Sequence, residues 1–415
     1  MSGRVCRPEV FVFSDLEMDR AEKDQDQLGC QREAFFLPPD HHYLNCAYMS
    51  PLPRVVEEAG VKGMLRKRNP ASLAPEDFFR ESQEVRTLFS GLINAPGPDS
   101  IAILPSVSYG VGVAARNTPL VSGQNVVLLH EQFPGNVYGW RRLAWENGAE
   151  IRMVRPRPGP HRGRNWNERI LESIDGDTGV VALAPVHWTD GTAFDLEAIG
   201  ARAREVGAAL VLDGTQSVGA LPMDVQALEP DALIVAGYKW MLGPYSIGVG
   251  YFGPRYLGGL PLEETWIARE GSEDFRGLVD YQDGYQPGAV RFDVGERSNF
   301  ILVPMLVAAL RILKAWGPER IQAYAKRLTG TLLEEAQALG FKVEDEPYRV
   351  GHIFGIRMPT GVELSAVNRL LEDEGVSASL RGSALRVSPH LYNDEGDVAA
   401  LLRVLRGVVG AREGS

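Results

Sequence analysis

The sequence predicts an α/β fold: a mainly parallel seven-stranded sheet with helices on both faces, followed by a smaller C-terminal α+β domain. Two observations predict it. From about residue 98, short apolar runs alternate with amphipathic stretches of helical length, the pattern of strands buried on both faces by crossover helices. After about residue 300 the register changes, and long helical patterns precede short strands and a last helix.

Taken in order, residues 1–36 are polar and mixed and are expected to form an N-terminal arm. A large domain is expected over 37–290, its first residues able to pack with the small domain. Its strands are read in "SIAILPS" (100–106), "NVVLLH" (125–130), "EIRMVR" (150–155), "GVVALAPV" (179–186), "AALVLD" (208–213), "ALIVAG" (232–237) and "IGVGYF" (247–252). Helices are read in "NVYGWRRLAWENG" and "DLEAIGARAREVG", the second opened by Asp195 as a cap and stopped by Gly207. The Gly/Pro-containing "YQDGYQPGAVRF" (281–292) marks the boundary. A small domain over 291–415 then carries two long helices and strands in "FKVEDE", "HIFGIRM" and "SALRVSP".

Composition narrows the function. A formal charge of −11, with no block of Lys/Arg to offset it, argues against nucleic-acid and anionic-membrane partners. The three cysteines, Cys6, Cys30 and Cys46, lack zinc-site spacing, and adjacent His41 and His42 point apart on most backbones, so no metal is expected. No leader-like apolar region opens the chain and no apolar run is long enough for a bilayer, so a cytoplasmic location is the expectation.

The residues that invite chemistry stand at strand ends, where ligands bind in open α/β sheets. In "DALIVAGYKWMLGP" Lys239 sits between Tyr238 and Trp240 just past an apolar run. It is either a snorkelling side chain or an amine that must be neutral to attack a carbonyl. Asp213 ends the preceding strand, at the same edge, as a ligand to some shared molecule or as a structural acid. Ser106 and Ser108 open a helix, where hydroxyls and free N–H groups make a phosphate cradle; capping alone would also account for them. Phe133 follows the next strand, free to stack on a planar ring or simply to pack. His187, Trp188, Thr189 and Asp190 crowd another strand end, so at least one of them faces the site. Late in the chain, Arg386 alternates with apolar neighbours, as a carboxylate clamp or as a surface arginine.

The order of these parts is more telling than any one of them. It resembles the fold-type-I pyridoxal-phosphate enzymes, specifically the class V aminotransferase family, which includes cysteine desulfurases, kynureninases and isopenicillin-epimerase-like proteins. The likeness runs from "YLNCAYMSPLP" at residue 43 to the last helix. It is most specific in "DGTQSVGALPMDVQALEPDALIVAGYKWMLGP". The resemblance implies that pyridoxal 5′-phosphate is the cofactor and that Lys239 forms the Schiff base with it. It further implies Asp213 against the pyridine nitrogen, Gln216 near the phenolic oxygen and Phe133 stacked on the ring. Ser106, Val107 and Ser108 would form the phosphate-binding turn. Ser298 and Asn299, in "DVGERSNF", would reach the phosphate of the other subunit in a homodimer with a shared active site. Arg386 would hold the substrate α-carboxylate.

Two departures qualify the expected reaction. Desulfurases of the family carry a reactive cysteine on a late loop, whereas every cysteine here precedes residue 50 and "SLRGSALRVS" is too short for that loop. Where many members place an asparagine beside the ring oxygen, this chain has Trp188, expected near the substrate, so Thr189 or Asp190 is left to supply the polar contact. Transamination of an α-amino acid is the first expectation. A C–S lyase acting on cysteine or a cysteine conjugate is the second, ahead of an epimerase or a kynureninase-like hydrolase. A Rossmann-type nucleotide binder is disfavoured, because no G-x-G-x-x-G opens a helix after an early strand.

Overall fold

The computed structural model of the protein describes residues 27–359 and 361–413; most of the expected arm lies outside the described residues. The described chain begins its strands with β1 (His42–Tyr43). It continues with β2 (Ile101–Leu104), β3 (Asn125–Leu129), β4 (Glu150–Val154), β5 (Thr178–Leu183), β6 (Ala209–Asp213), β7 (Ala232–Ala236) and β8 (Gly248–Phe252). Strands β2 to β8 form one sheet in the order β2-β8-β7-β6-β5-β3-β4. All neighbours are parallel except that β8 is antiparallel to both β7 and β2. The seven expected strands and the mainly parallel sheet are therefore present.

The strands are apolar throughout because both faces are covered. Alternate residues point to opposite sides: Ile103, Val127, Val181 and Leu212 enter one core, whereas Ala102, Val126, Val180 and Val211 enter the other. Burying each such Val, Ile or Leu contributes about 1.5–3 kcal/mol. Local chemistry sets the helix ends. Helix Leu196–Val206 starts where the Ala198 N–H donates to Asp195 at 3.0 Å and stops at Gly207 in the left-handed region.

Sheet direction gathers the site. The chain order reverses between β5 and β3, which opens a crevice outside their carboxyl ends. Because β8 is antiparallel to both neighbours, β2 runs the same way as β7. The segments after β2, β3, β5, β6 and β7, and the segment before β8, thus meet at one edge.

The small unit is an antiparallel sheet of β9 (Phe354–Arg357), β11 (Ser379–Arg381) and β12 (Ala384–Val387), with β10 (Val376–Ser377) paired in parallel with β1. Its core joins Leu44 to Leu385, Val387 and Leu401. The "FKVEDE" stretch forms only a single bridge, Lys342 to Arg357. Helix Leu302–Trp316 packs on the large core through Val303, Leu306 and Leu310. Helix Pro318–Ala338 bridges the two cores: its Ile321 belongs to the large core and Leu332 to the small one. Gly191 (φ +72°) fastens the two units: a Cβ there would meet the Ile353 carbonyl oxygen at 2.2 Å.

One buried ion cluster holds the segment leading into helix Leu302–Trp316. Asp293 accepts from Arg86 Nη1 at 3.1 Å, from the Ile103 N–H at 2.7 Å and from Arg297 Nη1 at 2.5 Å. All three charged side chains are buried. Among the described residues no helix is long and apolar enough to cross a membrane.

Candidate active site

The sheet edge opens into a cavity of about 310 Å³, at the small end of the range for ligand sites. Lys239, on the turn after β7, is 6 % exposed and projects into it. Its Nζ lies 5.2 Å from the Phe133 ring centroid and 5.5 Å from that of Tyr238. Burial lowers its pKa to about 8; Asp213 opposes the shift and the charge of Arg386 adds to it. The Lys239 stem does not run out to the protein surface, as a snorkelling side chain would; it is buried and directed into the cavity.

Asp213 ends β6 inside the same cavity, with the Thr215 N–H donating to its Oδ1 at 3.0 Å. Burial raises its pKa, against the Thr215 hydrogen bonds and the Lys239 charge. A buried acid and a buried amine therefore face one space. Gln216 also lines it, its amide held at both ends: Nε2 donates to the Ala47 carbonyl at 3.0 Å and Oε1 accepts from Trp240 Nε1 at 2.9 Å. That bond satisfies the indole of a fully buried Trp240.

At the opposite wall, helix Val107–Arg116 points its N-terminus inward, with Ser106, Val107 and Ser108 at the cavity. Ser106 caps the helix, accepting from the Tyr109 N–H at 3.2 Å, and its hydroxyl lies 3.0 Å from that of Ser108. Capping and cradle coexist here: the cap uses one N–H and leaves others of the first turn for an anion. Phe133, 41 % exposed, meets Trp188 edge to face at 5.5 Å. Trp188 is anchored by donating from Nε1 to the Glu131 carbonyl at 2.6 Å.

The crowded strand end after β5 sorts differently from the expectation. His187 and Trp188 line the cavity, whereas Thr189 and Asp190 do not. His187 Nε2 donates to the His130 carbonyl at 3.1 Å, and Nδ1 lies 2.7 Å from the Thr189 hydroxyl. That contact occupies Thr189. Asp190 turns to the small unit, where Arg357 binds it, with Arg162 at 3.5 Å and the Thr192 hydroxyl at 2.8 Å. Burial alone would raise its carboxyl; His187, Arg162 and Arg357 hold it well below the usual carboxylate range. The polar atoms of Thr189 and Asp190 position His187 and join the two units, while His187 and Trp188 are the residues of this strand end that line the cavity.

Ser298 and Asn299 also lie away from Lys239. Ser298 donates to the Phe78 carbonyl at 2.6 Å, and Asn299 Oδ1 accepts from the Leu302 N–H at 2.9 Å. Both line a separate cavity with Lys67 and Trp266. Arg386, on β12, does not itself line the cavity but adjoins it at Trp188. Its Nη1 donates to the Trp188 carbonyl at 2.8 Å, and burial lowers its pKa to about 10.

Sequence reasoning missed Thr215, Tyr245 and Ser246 as lining residues. Tyr245 packs on Tyr238, ring centroids 4.6 Å apart. The available signal was the reversal of β8, which brings the residues before that strand to the ligand edge. The fit to pyridoxal phosphate is good: an anion-binding helix start, an aromatic face, a buried acid and a buried amine of lowered pKa converge on one cavity.

Comparisons with known proteins agree with this geometry. A family model described as aminotransferase class-V matches residues 65–401. An uncharacterized aminotransferase of Schizosaccharomyces pombe is 27 % identical over 372 residues, covering 88 % of this chain and 91 % of its own length. A probable cysteine desulfurase of Methanothermobacter thermautotrophicus is 26 % identical over 402 residues, covering 89 % of this chain and 95 % of its own. Among solved structures, the apo cysteine desulfurase from Thermococcus onnurineus is similar with a TM-score of 0.79 at 21 % identity, covering 92 % of this chain and 99 % of that one. This last likeness speaks to the fold.

Proposed function

Because the chain belongs to the class V aminotransferase family, whose cofactor is pyridoxal 5′-phosphate, we propose that it is an aminotransferase acting on an α-amino acid through Lys239. The observation that carries the proposal is the pairing of a desolvated Lys239 amine with a buried Asp213 in one cavity. Pyridoxal phosphate, when bound, supplies an electron sink for the pair left behind when a bond to the substrate α-carbon breaks.

The chain's own residues do the rest. Lys239 would hold the cofactor and move the α-proton, a task suited to an amine whose pKa burial lowers to about 8. Asp213 keeps a proton on the cofactor ring nitrogen. The start of helix Val107–Arg116 binds the phosphate, while Phe133 and Trp188 cover the ring and exclude water. Arg386 orients the substrate carboxylate. Ser298 and Asn299 serve the phosphate of a second subunit in a cytoplasmic homodimer, consistent with their place in a separate cavity. A demonstrable monomer with full activity would overturn that last assignment.

The test is a visible spectrum of the purified protein before and after amino acids are added, with borohydride trapping and peptide mapping. A yellow species trapped on Lys239 that converts to a pyridoxamine-like band supports transamination. A protein that stays colourless with added pyridoxal phosphate removes the proposal. Colour formation should also depend on pH. Below about 8 the amine is mostly ammonium and cannot attack, so the attachment rate should rise about tenfold per pH unit and level off above that value. A pH-independent rate would argue against a titrating lysine.

C–S lyase chemistry is the second reading, supported by the relatives named cysteine desulfurase. It would show as pyruvate and sulfide released from cysteine. Cys46 is a poor persulfide carrier, being fully buried, with its thiol pushed up to about 12 by burial. In either reaction, Arg386→Ala should weaken amino-acid binding by about 2–5 kcal/mol, the cost of removing a buried charged partner. A spectral titration with unchanged affinity would refute its role.

A further inference from the structure

Two arginines, rather than one, adjoin the cavity at Trp188. Strands β11 and β12 pair so that Ser379 faces Arg386 and Arg381 faces Ala384. Residues two apart, and residues directly across a pair, share a face, so Arg381 and Arg386 project to the same side of this hairpin. Both reach Trp188, a wall of the cavity: Arg386 Nη1 donates to its carbonyl at 2.8 Å, and Arg381 Cζ lies 5.6 Å from its ring centroid.

Neither guanidinium has a carboxylate partner among the described residues. Arg386 offers Nη2 only distant contacts, 3.5 Å to Asn45 Oδ1 and 3.4 Å to Ser379 Oγ, and Arg381 donates to the Leu380 carbonyl at 2.8 Å. The Nε of each is buried with no acceptor. Arg386 is buried and Arg381 half-buried; two guanidinium groups held together without a carboxylate are costly, and such a pair is matched to anions from outside. Their charges act on the site: both depress Lys239, and Arg381 depresses Arg386. Asp213, the acid at the cavity, is engaged with the cofactor in the proposed function.

We infer that the substrate is an α-amino acid with a side-chain carboxylate, held by Arg381 while Arg386 holds the α-carboxylate. The inference rests on the proposed function and narrows its substrate class. A single guanidinium fork matches a single carboxylate. Arg381 lies over the Trp188 indole while Arg386 binds the Trp188 carbonyl, so that residue links the two cations and its ring offers the intervening methylenes an apolar surface.

The experiment is a spectral titration of the holoenzyme with glutamate, glutamine, aspartate and asparagine, each acid compared with its near-isosteric amide. At least one acid should bind about tenfold more tightly than its amide, since a charge-assisted hydrogen bond replaces a neutral one. In Arg381→Gln that ratio should fall to about one, and Arg381→Lys should restore part of it. Two results would overturn the inference alone. One is a wild-type enzyme that responds to neutral amino acids with no preference for either acid. The other is an Arg381→Gln variant in which acid and amide weaken equally, as when both arginines clamp one carboxylate. A holoenzyme whose spectrum no amino acid changes would overturn the proposed function with it.

Discussion

Replacing Lys239 with alanine is expected to lower turnover by about 10²–10⁴-fold, the range associated with a positioned proton-transfer group. The same change removes the covalent anchor of the cofactor. Borohydride should then fix no label to the peptide containing Tyr238 and Trp240, while pyridoxal phosphate still binds through the helix start and the aromatic wall. Folding should not suffer. Burial disfavours the Lys239 ammonium on the order of 3 kcal/mol, from its displacement to about 8, so alanine relieves a cost. Retention of turnover within tenfold of the parent, measured in a steady-state assay, would place the essential base elsewhere.

Replacing Asp293 with alanine is expected to destabilise the protein by about 3–5 kcal/mol, the usual result of breaking a buried ion cluster from one side. Arg86 and Arg297 would remain buried as unpaired cations, and the Ile103 N–H would lose its acceptor. Equilibrium unfolding in urea checks this. An apolar triple replacement, Arg86→Met with Asp293→Leu and Arg297→Met, should recover most of the loss, because the cost comes from uncompensated charge. A loss below about 1 kcal/mol for Asp293→Ala would mean that water reaches the cluster and screens it. The change should also disturb Ser298 and Asn299, which follow on the same segment.

What was legible in the sequence follows from which interactions are local. The sheet strands were readable because burial on both faces makes each an unbroken apolar run, as in "ALVLD" and "ALIVA". Lys239 and Asp213 were readable as polar residues at the ends of such runs. Asp190 looked equally suited, yet its partner Arg357 lies 167 residues away, and sequence cannot show which acid a distant arginine takes. Helix Leu302–Trp316 was assigned to the small domain from chain order, whereas its apolar face belongs to the large core. The strands β1 and β10 are two residues each. Segments so short carry no periodicity, and only their partner defines them.

That last pairing has a kinetic consequence. Residues 42–50 are stitched to the far end of the chain: His42 pairs with Val376, and the Ala47 N–H donates to the hydroxyl of Ser388, 341 residues on. The same stretch touches the cofactor edge, where the Ala47 carbonyl receives Gln216 and the Ser50 N–H donates to the Tyr238 carbonyl. Loops this long close slowly, since their entropy is lost before their contacts form. During synthesis the seven-stranded sheet can assemble while residues 42–50 still await partners on the ribosome. The Ala47 and Ser50 contacts that brace Gln216 and Tyr238 are then fixed only when β12 emerges, so the support behind two cavity residues is among the last parts of the nascent chain to settle.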